Sequence, residues 1–292
     1  MGRFRGCGVA ITTPMDEFKL IDYDTLEKHI EFLIENNADA IIPCGTTGES
    51  ATLSFEEKLE VTKFVVEQVA GRVPVIGGSG GNSTSKVIEL SLAMQNAGVD
   101  GLLIVTPFYN KTTQSGLYHH YKDIADAVEL PIILYNVPSR TGLNMLPETV
   151  AKLAEIDNIT GIKEASADIS QIAEVARLCP DLDLFAGNDD QILPILSLGG
   201  IGVITSVGNI IPNAVHELVF SYFERDIAKS RELQLDMLPL IHAIFSEVNP
   251  IPVKKALEYM GFGESNTRPP LYTMEEENRK KLKKEMKAYG IL

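Results

Sequence analysis

Ile159-Thr160-Gly161-Ile162-Lys163-Glu164 is an apolar run closed by a single cation and then an acid. A strand over Ile159–Lys163 is expected. Its apolar residues are continuous rather than alternating, the pattern of a parallel sheet covered on both faces. Seven other short β-branched runs share that character: Gly8–Thr12, Ala40–Pro43, Pro74–Gly77, Gly101–Val105, Pro131–Tyr135, Leu182–Ala186 and Gly202–Thr205. Helical patterns separate them. The first sets Leu26, Ile30, Leu33 and Ile34 on one face behind Asp24 and Glu27, which are suited to cap its first turn. The second opens with Ser54 and Glu57 in the same relation, turns Val61, Phe64 and Val65 inward and stops at Gly71. Further helices are expected over Ser83–Ala97, Gln114–Val128, Pro147–Ala154, Ile169–Leu178, Gln191–Leu198 and Pro212–Arg225. Eight strand–helix units predict an α/β fold, a closed (β/α)8 TIM barrel over residues 1–225. An open doubly wound sheet is the alternative, but no Gly-x-Gly-x-x-Gly follows the first strand. Residues 226–292 carry no strand signal and predict a C-terminal three-helix extension, with Asn249-Pro250-Ile251-Pro252 starting the second helix and Thr273 with Glu276 capping the third. Leu282, Met286 and Tyr289 give that third helix its apolar face.

Active sites of such barrels lie at the C-terminal ends of the strands, which makes the residues there candidates. Lys163 is one of them. Desolvation penalises a charged amine, and a neutral amine is a nucleophile towards carbonyls. A surface lysine capping a strand is the plainer reading of the same residue. After the second strand comes Gly45-Thr46-Thr47-Gly48-Glu49-Ser50, whose glycines let backbone N–H groups turn inward and whose threonines add hydroxyls for a small anion. The fourth strand leads to Thr106-Pro107-Phe108-Tyr109-Asn110, and the fifth ends in Tyr135-Asn136-Val137-Pro138-Ser139-Arg140-Thr141-Gly142. Tyr109, Tyr135 and Arg140 are therefore expected on the rim that holds Lys163. Two tyrosines beside a lysine suit a proton relay, and Arg140 suits either a substrate carboxylate or an acidic neighbour.

Metal-assisted aldol chemistry is disfavoured, because His29, His119, His120, His216 and His242 fall in helical patterns rather than at strand ends. Cys44 has no strand-end histidine to activate it and reads as a small buried hydrophobe. Gly77-Gly78-Ser79-Gly80-Gly81-Asn82 precedes a helix and resembles a phosphate cradle, which raises a pyridoxal phosphate barrel as a rival. A direct lysine–keto acid imine needs no cofactor, and none is expected.

The chain has 292 residues, a formal charge of −14 and a pI near 4.8. That charge argues against nucleic-acid or anionic-membrane partners, which bind through clustered Lys and Arg. The apolar run behind Met1-Gly2-Arg3-Phe4-Arg5-Gly6-Cys7 is stopped by Pro14 and Asp16, too short for a secretory signal, and Gly6 breaks the myristoylation pattern. No run approaches a membrane span. Three cysteines, Cys7, Cys44 and Cys179, leave one unpaired in any pairing, which fits a reducing cytoplasm.

Four segments, Gly-Thr-Thr-Gly-Glu at 45–49, Tyr-Asn-Val-Pro-Ser-Arg-Thr-Gly at 135–142, Gly-Ile-Lys-Glu at 161–164 and Gly-Asn-Asp-Asp at 187–190, together closely resemble the 4-hydroxy-tetrahydrodipicolinate synthase (dihydrodipicolinate synthase) family. The likeness runs the whole chain. The first and third segments are shared with the wider pyruvate-dependent class I aldolase superfamily, including N-acetylneuraminate lyase and 2-keto-3-deoxy-sugar-acid aldolases; Arg140 in Ser-Arg-Thr-Gly is the more discriminating mark. A barrel that only binds a keto acid is the non-catalytic alternative. The resemblance implies a Schiff base between Lys163 and pyruvate, attack of the derived enamine on L-aspartate-4-semialdehyde, and a proton relay of Tyr135, Thr46 and Tyr109. It assigns the pyruvate carboxylate to Thr47 and the backbone at Ile204, counts Gly187 in the substrate-binding set, and gives the semialdehyde carboxylate to Arg140. In relatives the residue matching Tyr109 comes from a neighbouring subunit, so a homodimer or homotetramer is implied. Where relatives bind the inhibitor L-lysine, this chain has Ser50, Ala51, Phe55, Lys58, Asn82, Lys86 and Phe108. The most sensitive members have histidines at 55 and 58, glutamate at 86 and tyrosine at 108, so inhibition here is expected to be weak or absent.

Overall fold

Strand pairing sets the architecture of the protein, which is described from a computed structural model covering residues 4–292. The sequence reading that began at Met1 therefore falls partly outside the described residues. The strands are β1 (Gly6–Ala10), β2 (Ala40–Ile42), β3 (Ile76–Gly78), β4 (Gly101–Val105), β5 (Ile132–Asn136), β6 (Ile159–Glu164), β7 (Asp183–Ala186) and β8 (Gly202–Thr205). They pair in parallel in the order β2-β1-β8-β7-β6-β5-β4-β3. An Ile41–Val75 parallel bridge and the hydrogen bond from Gly78 N to Pro43 O, 3.0 Å, bring the two ends of that order together. The ring is the expected barrel.

The helices are α1 (Tyr23–Glu35), α2 (Phe55–Val69), α3 (Thr84–Asn96), α4 (Gln114–Ala127), α5 (Pro138–Thr141), α6 (Pro147–Leu153), α7 (Ile169–Leu178), α8 (Ile192–Ser197), α9 (Pro212–Phe223), α10 (Ile227–Ile244), α11 (Ile251–Tyr259) and α12 (Glu276–Tyr289). Several boundaries differ from the sequence reading for local reasons. The first strand begins at Gly6 because Gly6 pairs with Gly202 of β8, whereas Thr12 N turns away to Asn209 Oδ1, 3.1 Å. Helix α1 is capped by Asp22, which accepts from Thr25 N at 3.0 Å, rather than by Asp24 and Glu27. Ser54 and Glu57 do form the capping box of α2. At α12 no side chain caps the start, so the Thr273–Glu276 device is absent.

Side chains pointing into the barrel pack as one cluster, with Phe4 closing the N-terminal end by stacking on Phe185 at 4.5 Å. A larger apolar layer lies between the strands and the surrounding helices. The C-terminal helices wrap back on the barrel. From α11, Lys254 reaches Glu49 in the loop after β2 at 2.6 Å, and both side chains are 2% exposed. Glu49 also accepts from Arg268 N at 3.0 Å, while the Arg268 guanidinium pairs with Glu57 and bonds the carbonyls of Lys19 and Thr52. Burial lowers the pKa of Lys254, and Glu49 opposes that shift. Among the described residues no helix is long and apolar enough to cross a membrane.

Removing one member of such a pair strands a buried charge, which costs about 3–5 kcal/mol. Lys254→Met is expected to lower Tm by on the order of 10 °C in differential scanning calorimetry. An unchanged Tm would show that the pair does not hold the loop.

Candidate active site

Alternation along the strands decides which side chains enter the barrel. Tyr135 and Lys163 are register partners on β5 and β6, and Lys163 is in turn the partner of Phe185 on β7. Residues on one pleat phase share a face, so these three point inward together. Lys163 is 6% exposed and Tyr135 7%, and the Lys163 Nζ lies 4.3 Å from the centre of the Tyr135 ring. Lys163 forms no ion pair among the described residues. Its amine thus sits on a ring face at the inner wall. Glu164, one residue on, has the opposite phase and is buried outside the barrel, where it accepts from Ser166 N at 2.7 Å and from the Asn136 amide. Desolvation raises its pKa despite those bonds.

A cavity of about 970 Å³ opens beside Tyr135, lined by Gly45, Thr46, Tyr135, Arg140 and Asn249 among others, whereas Lys163, Thr47, Gly187 and Ile204 lie behind that lining. Arg140 stands on the short helix α5, exposed, and its guanidinium has no carboxylate partner among the described residues. The alternative role of neutralising an acidic neighbour is therefore unfilled. Thr46 shares the cavity with Tyr135 but makes no hydrogen bond to it. The N–H groups of Thr46 and Thr47 donate to no carbonyl of the described residues. Thr47 is buried, and its hydroxyl lies 3.0 Å from Ser206 Oγ and 2.9 Å from Asn249 Nδ2. Ile204 is fully buried on β8, two residues before Ser206. Gly187 has no room for a side chain: a Cβ there would meet Ala165 Cβ at 2.7 Å and Glu164 O at 2.8 Å.

Tyr109 departs from the expected rim. It is 91% exposed, lies outside the cavity lining and takes φ +70°, a conformation that a bulky side chain rarely adopts. Pro107 is buried and Phe108 lines the cavity, but Tyr109 and Asn110 are exposed, so within one chain Tyr109 does not join Lys163 and Tyr135.

The sequence reading missed a polar support behind the β8 loop. Asp189 accepts from Ser206 N at 3.2 Å and Val207 N at 2.8 Å, and it is fully buried close enough to Lys163 for that charge to oppose the desolvation that raises its pKa. Asp189 belongs to the Gly-Asn-Asp-Asp segment, which was the available signal. Asn209 bonds Ser206 O and Ala10 O, and its own carbonyl accepts from His29 Nε2 at 3.0 Å. That fixes the tautomer, because a carbonyl can only accept. Nothing in the sequence pattern distinguishes His29 from other helical histidines.

A model of the dihydrodipicolinate synthetase family matches residues 3–289. The chain belongs to that family. A relative from Caldicellulosiruptor bescii, a 4-hydroxy-tetrahydrodipicolinate synthase, is 55% identical over 291 residues, covering 100% of this chain and 99% of its own. Among solved structures of the family, dihydrodipicolinate synthase from Thermotoga maritima superposes with a TM-score of 0.97 at 43% identity, covering 99% of both chains. The chloride-inhibited enzyme from Acinetobacter baumannii, complexed with pyruvate, gives 0.97 at 41% identity, covering 99% of this chain and 100% of its own.

Burial pushes the His29 imidazole down to about 4. Its unfolded value lies near 6.5, so the fold favours the neutral ring. That contribution is complete above pH 6.5 and is lost as pH falls from 6.5 towards 4, about 3 kcal/mol in all. Urea midpoints are expected to hold between pH 8 and 7 and to drop below 6.5, more shallowly in His29→Gln, which keeps a donor without the titration. Parallel curves for the two proteins would remove His29 as a cause.

Proposed function

We infer that the protein condenses pyruvate with L-aspartate-4-semialdehyde to 4-hydroxy-tetrahydrodipicolinate, the reaction its relatives are named for, in diaminopimelate and lysine biosynthesis. The observation that carries this reading is the buried Lys163 amine on the Tyr135 ring, inside a barrel of that family. Lys163 attacks the pyruvate carbonyl, water leaves, and the protonated imine draws electrons from the methyl group. Loss of a methyl proton gives an enamine whose carbon attacks the aldehyde. The imine nitrogen is the electron sink, so neither metal nor organic cofactor is required. Tyr135 moves the protons, with Thr46 and Tyr109 as relay partners; the unpaired N–H groups at Thr46 and Thr47 support seating the pyruvate carboxylate there, near Ile204 and Gly187. Transimination and cyclisation complete the product.

The exposure of Tyr109 supports a homodimer or homotetramer in which that side chain serves the site of a neighbouring copy. Residues 1–225 act as the catalytic barrel and 226–292 as a helical domain. Three free, buried cysteines support a cytoplasmic setting. Borohydride reduction in the presence of pyruvate is expected to add one reduced pyruvate at Lys163, and a coupled assay to show turnover with aspartate semialdehyde above that with N-acetylneuraminate or a 2-keto-3-deoxy sugar acid. Labelling anywhere else, or none, would reject the mechanism.

Arg140 is free to receive the semialdehyde carboxylate. Arg140→Ala should cost about 1.5–3 kcal/mol in kcat/KM for the aldehyde while leaving formation of the pyruvate adduct intact. Equal losses in both steps would assign Arg140 a different role.

The same cavity runs on past Ser50, Phe55, Lys58, Asn82, Lys86 and Phe108. Lys58 is half-buried without an ion-pair partner among the described residues, and desolvation lowers its pKa. Two cations oppose an effector ammonium here, although Glu56 and Glu89 also reach the cavity wall. Titration of L-lysine into the assay is expected to give weak inhibition or none, with Lys86→Glu gaining sensitivity. Sub-millimolar inhibition of the unmodified protein would refute this.

A further inference from the structure

We propose that Asn249 and Ser206 are positioning residues that polarise the Thr47 hydroxyl, so that its hydrogen is offered to the substrate carboxylate. The proposal rests on the reading above, in which Thr47 holds that carboxylate. Three polar groups meet at this corner. The Asn249 Nδ2 lies 2.9 Å from Thr47 Oγ1 and 3.2 Å from Ser206 Oγ, and the two hydroxyls are 3.0 Å apart. An amide nitrogen carries two hydrogens and each hydroxyl carries one. Asn249 gives one hydrogen to each hydroxyl oxygen. Their mutual bond consumes one of the two hydroxyl hydrogens, leaving a single hydrogen unspent. When Ser206 donates to Thr47, the Thr47 oxygen has accepted twice, and its own hydrogen is all it has left to offer. An anion beside Thr47 favours that arrangement, because a carboxylate can only accept.

Turning the amide round is disfavoured. Its oxygen would take both hydroxyl hydrogens, leaving the lone pairs of Thr47 and Ser206 facing one another at 3.0 Å. It would also exchange Asn249 Oδ1, a buried acceptor without a partner among the described residues, for an amide nitrogen with two unspent donors. The corner is held from three sides. Asp189 and Asn209 fix the Ser206 main chain at its N–H and its carbonyl. Asn249 immediately precedes Pro250 and α11, and α11 is tied through Lys254 to Glu49, two residues beyond Thr47. The helical extension thereby contributes an amide to a corner otherwise built by the barrel.

The test is the pyruvate concentration that half-saturates borohydride trapping at Lys163, which is independent of the aldehyde, measured with kcat and Tm on the full-length protein. Asn249→Asp, nearly isosteric, replaces the donor with a group that takes both hydroxyl hydrogens; half-saturation should rise by more than about tenfold with the trapping rate at saturating pyruvate little changed. Ser206→Ala should raise it severalfold, Ser206→Thr should restore it, and Ser206→Ala should add nothing in a Thr47→Val background. The Ser206 pair decides the matter even where the Asn249 variant fails to fold. If Thr47→Val raises half-saturation while Asn249→Asp and Ser206→Ala leave it alone, or if Ser206→Thr is as impaired as Ser206→Ala, the inference is overturned and the functional reading stands. If Thr47→Val itself changes nothing, or pyruvate is not trapped at all, the functional reading fails first and this inference with it.

Discussion

The pleat phase of β5 and β6 is the constraint on which the site depends. Because side chains alternate with period two, Lys163 enters the barrel only when its strand is registered so that Tyr135 lies beside it, and a slip of one residue would bring Glu164 inside instead. The sequence 161–164 is organised around that choice. Glycine at 161 lets Asp183 and the Phe185 ring close in, since a Cβ there would meet Asp183 O at 3.1 Å and Phe185 Cε2 at 3.4 Å, isoleucine at 162 packs outward, and Glu164 is satisfied outside by Asn136 and Ser166. A buried carboxylate held by donors outside the barrel and an amine on an aromatic face within it are two halves of one register. Either misplaced group would leave a charge buried without its partners, which penalises the alternative pairing far more than lost apolar contact would.

The fold was legible because it is written in repeated local signals. Eight apolar runs, each followed by an amphipathic segment, leave few parallel topologies, and the right-handed crossover rule leaves one with closure. Position along a strand was legible for the same reason: Lys163, Tyr135 and the Gly45–Glu49 loop stand at C-terminal strand ends, where barrel chemistry collects. What escaped was set by single interactions rather than by pattern. Asp22 and Asp24 are equally good caps on paper, and Asp22 wins because Thr25 N and its hydroxyl both reach that carboxylate. Tyr109 read as a rim residue because the segment after β4 was assumed to continue inward; its positive φ sends it out, a turn no propensity marks in a tyrosine.

The polar corner of Thr47, Ser206 and Asn249 was invisible for a stronger reason. Its members are contributed by the second barrel loop, the eighth and the connection between α10 and α11, so no window of sequence contains two of them. Asn249 sits in Asn-Pro-Ile-Pro, which announces the start of a helix and hides the side chain that precedes it. Only the closed ring, bringing the first and last barrel strands side by side, makes these segments neighbours.

Those separations also govern how the site is assembled. The Thr47–Asn249 bond spans 202 residues and the Glu49–Lys254 pair 205, whereas β4, β5 and β6 pair with immediate successors in the chain. Contacts of long sequence separation carry the larger loop-closure cost and form when the intervening chain is already compact. The wall bearing Lys163 and Tyr135 can thus form from local pairings, while the opposite wall waits for the ring to close and for α11 to dock. Docking seats Lys254 against an acid that would otherwise be buried alone and delivers Asn249 in the same movement. The ion pair and the amide are five residues apart on one segment, so the interaction that stabilises the extension on the barrel is also the one that completes the cavity.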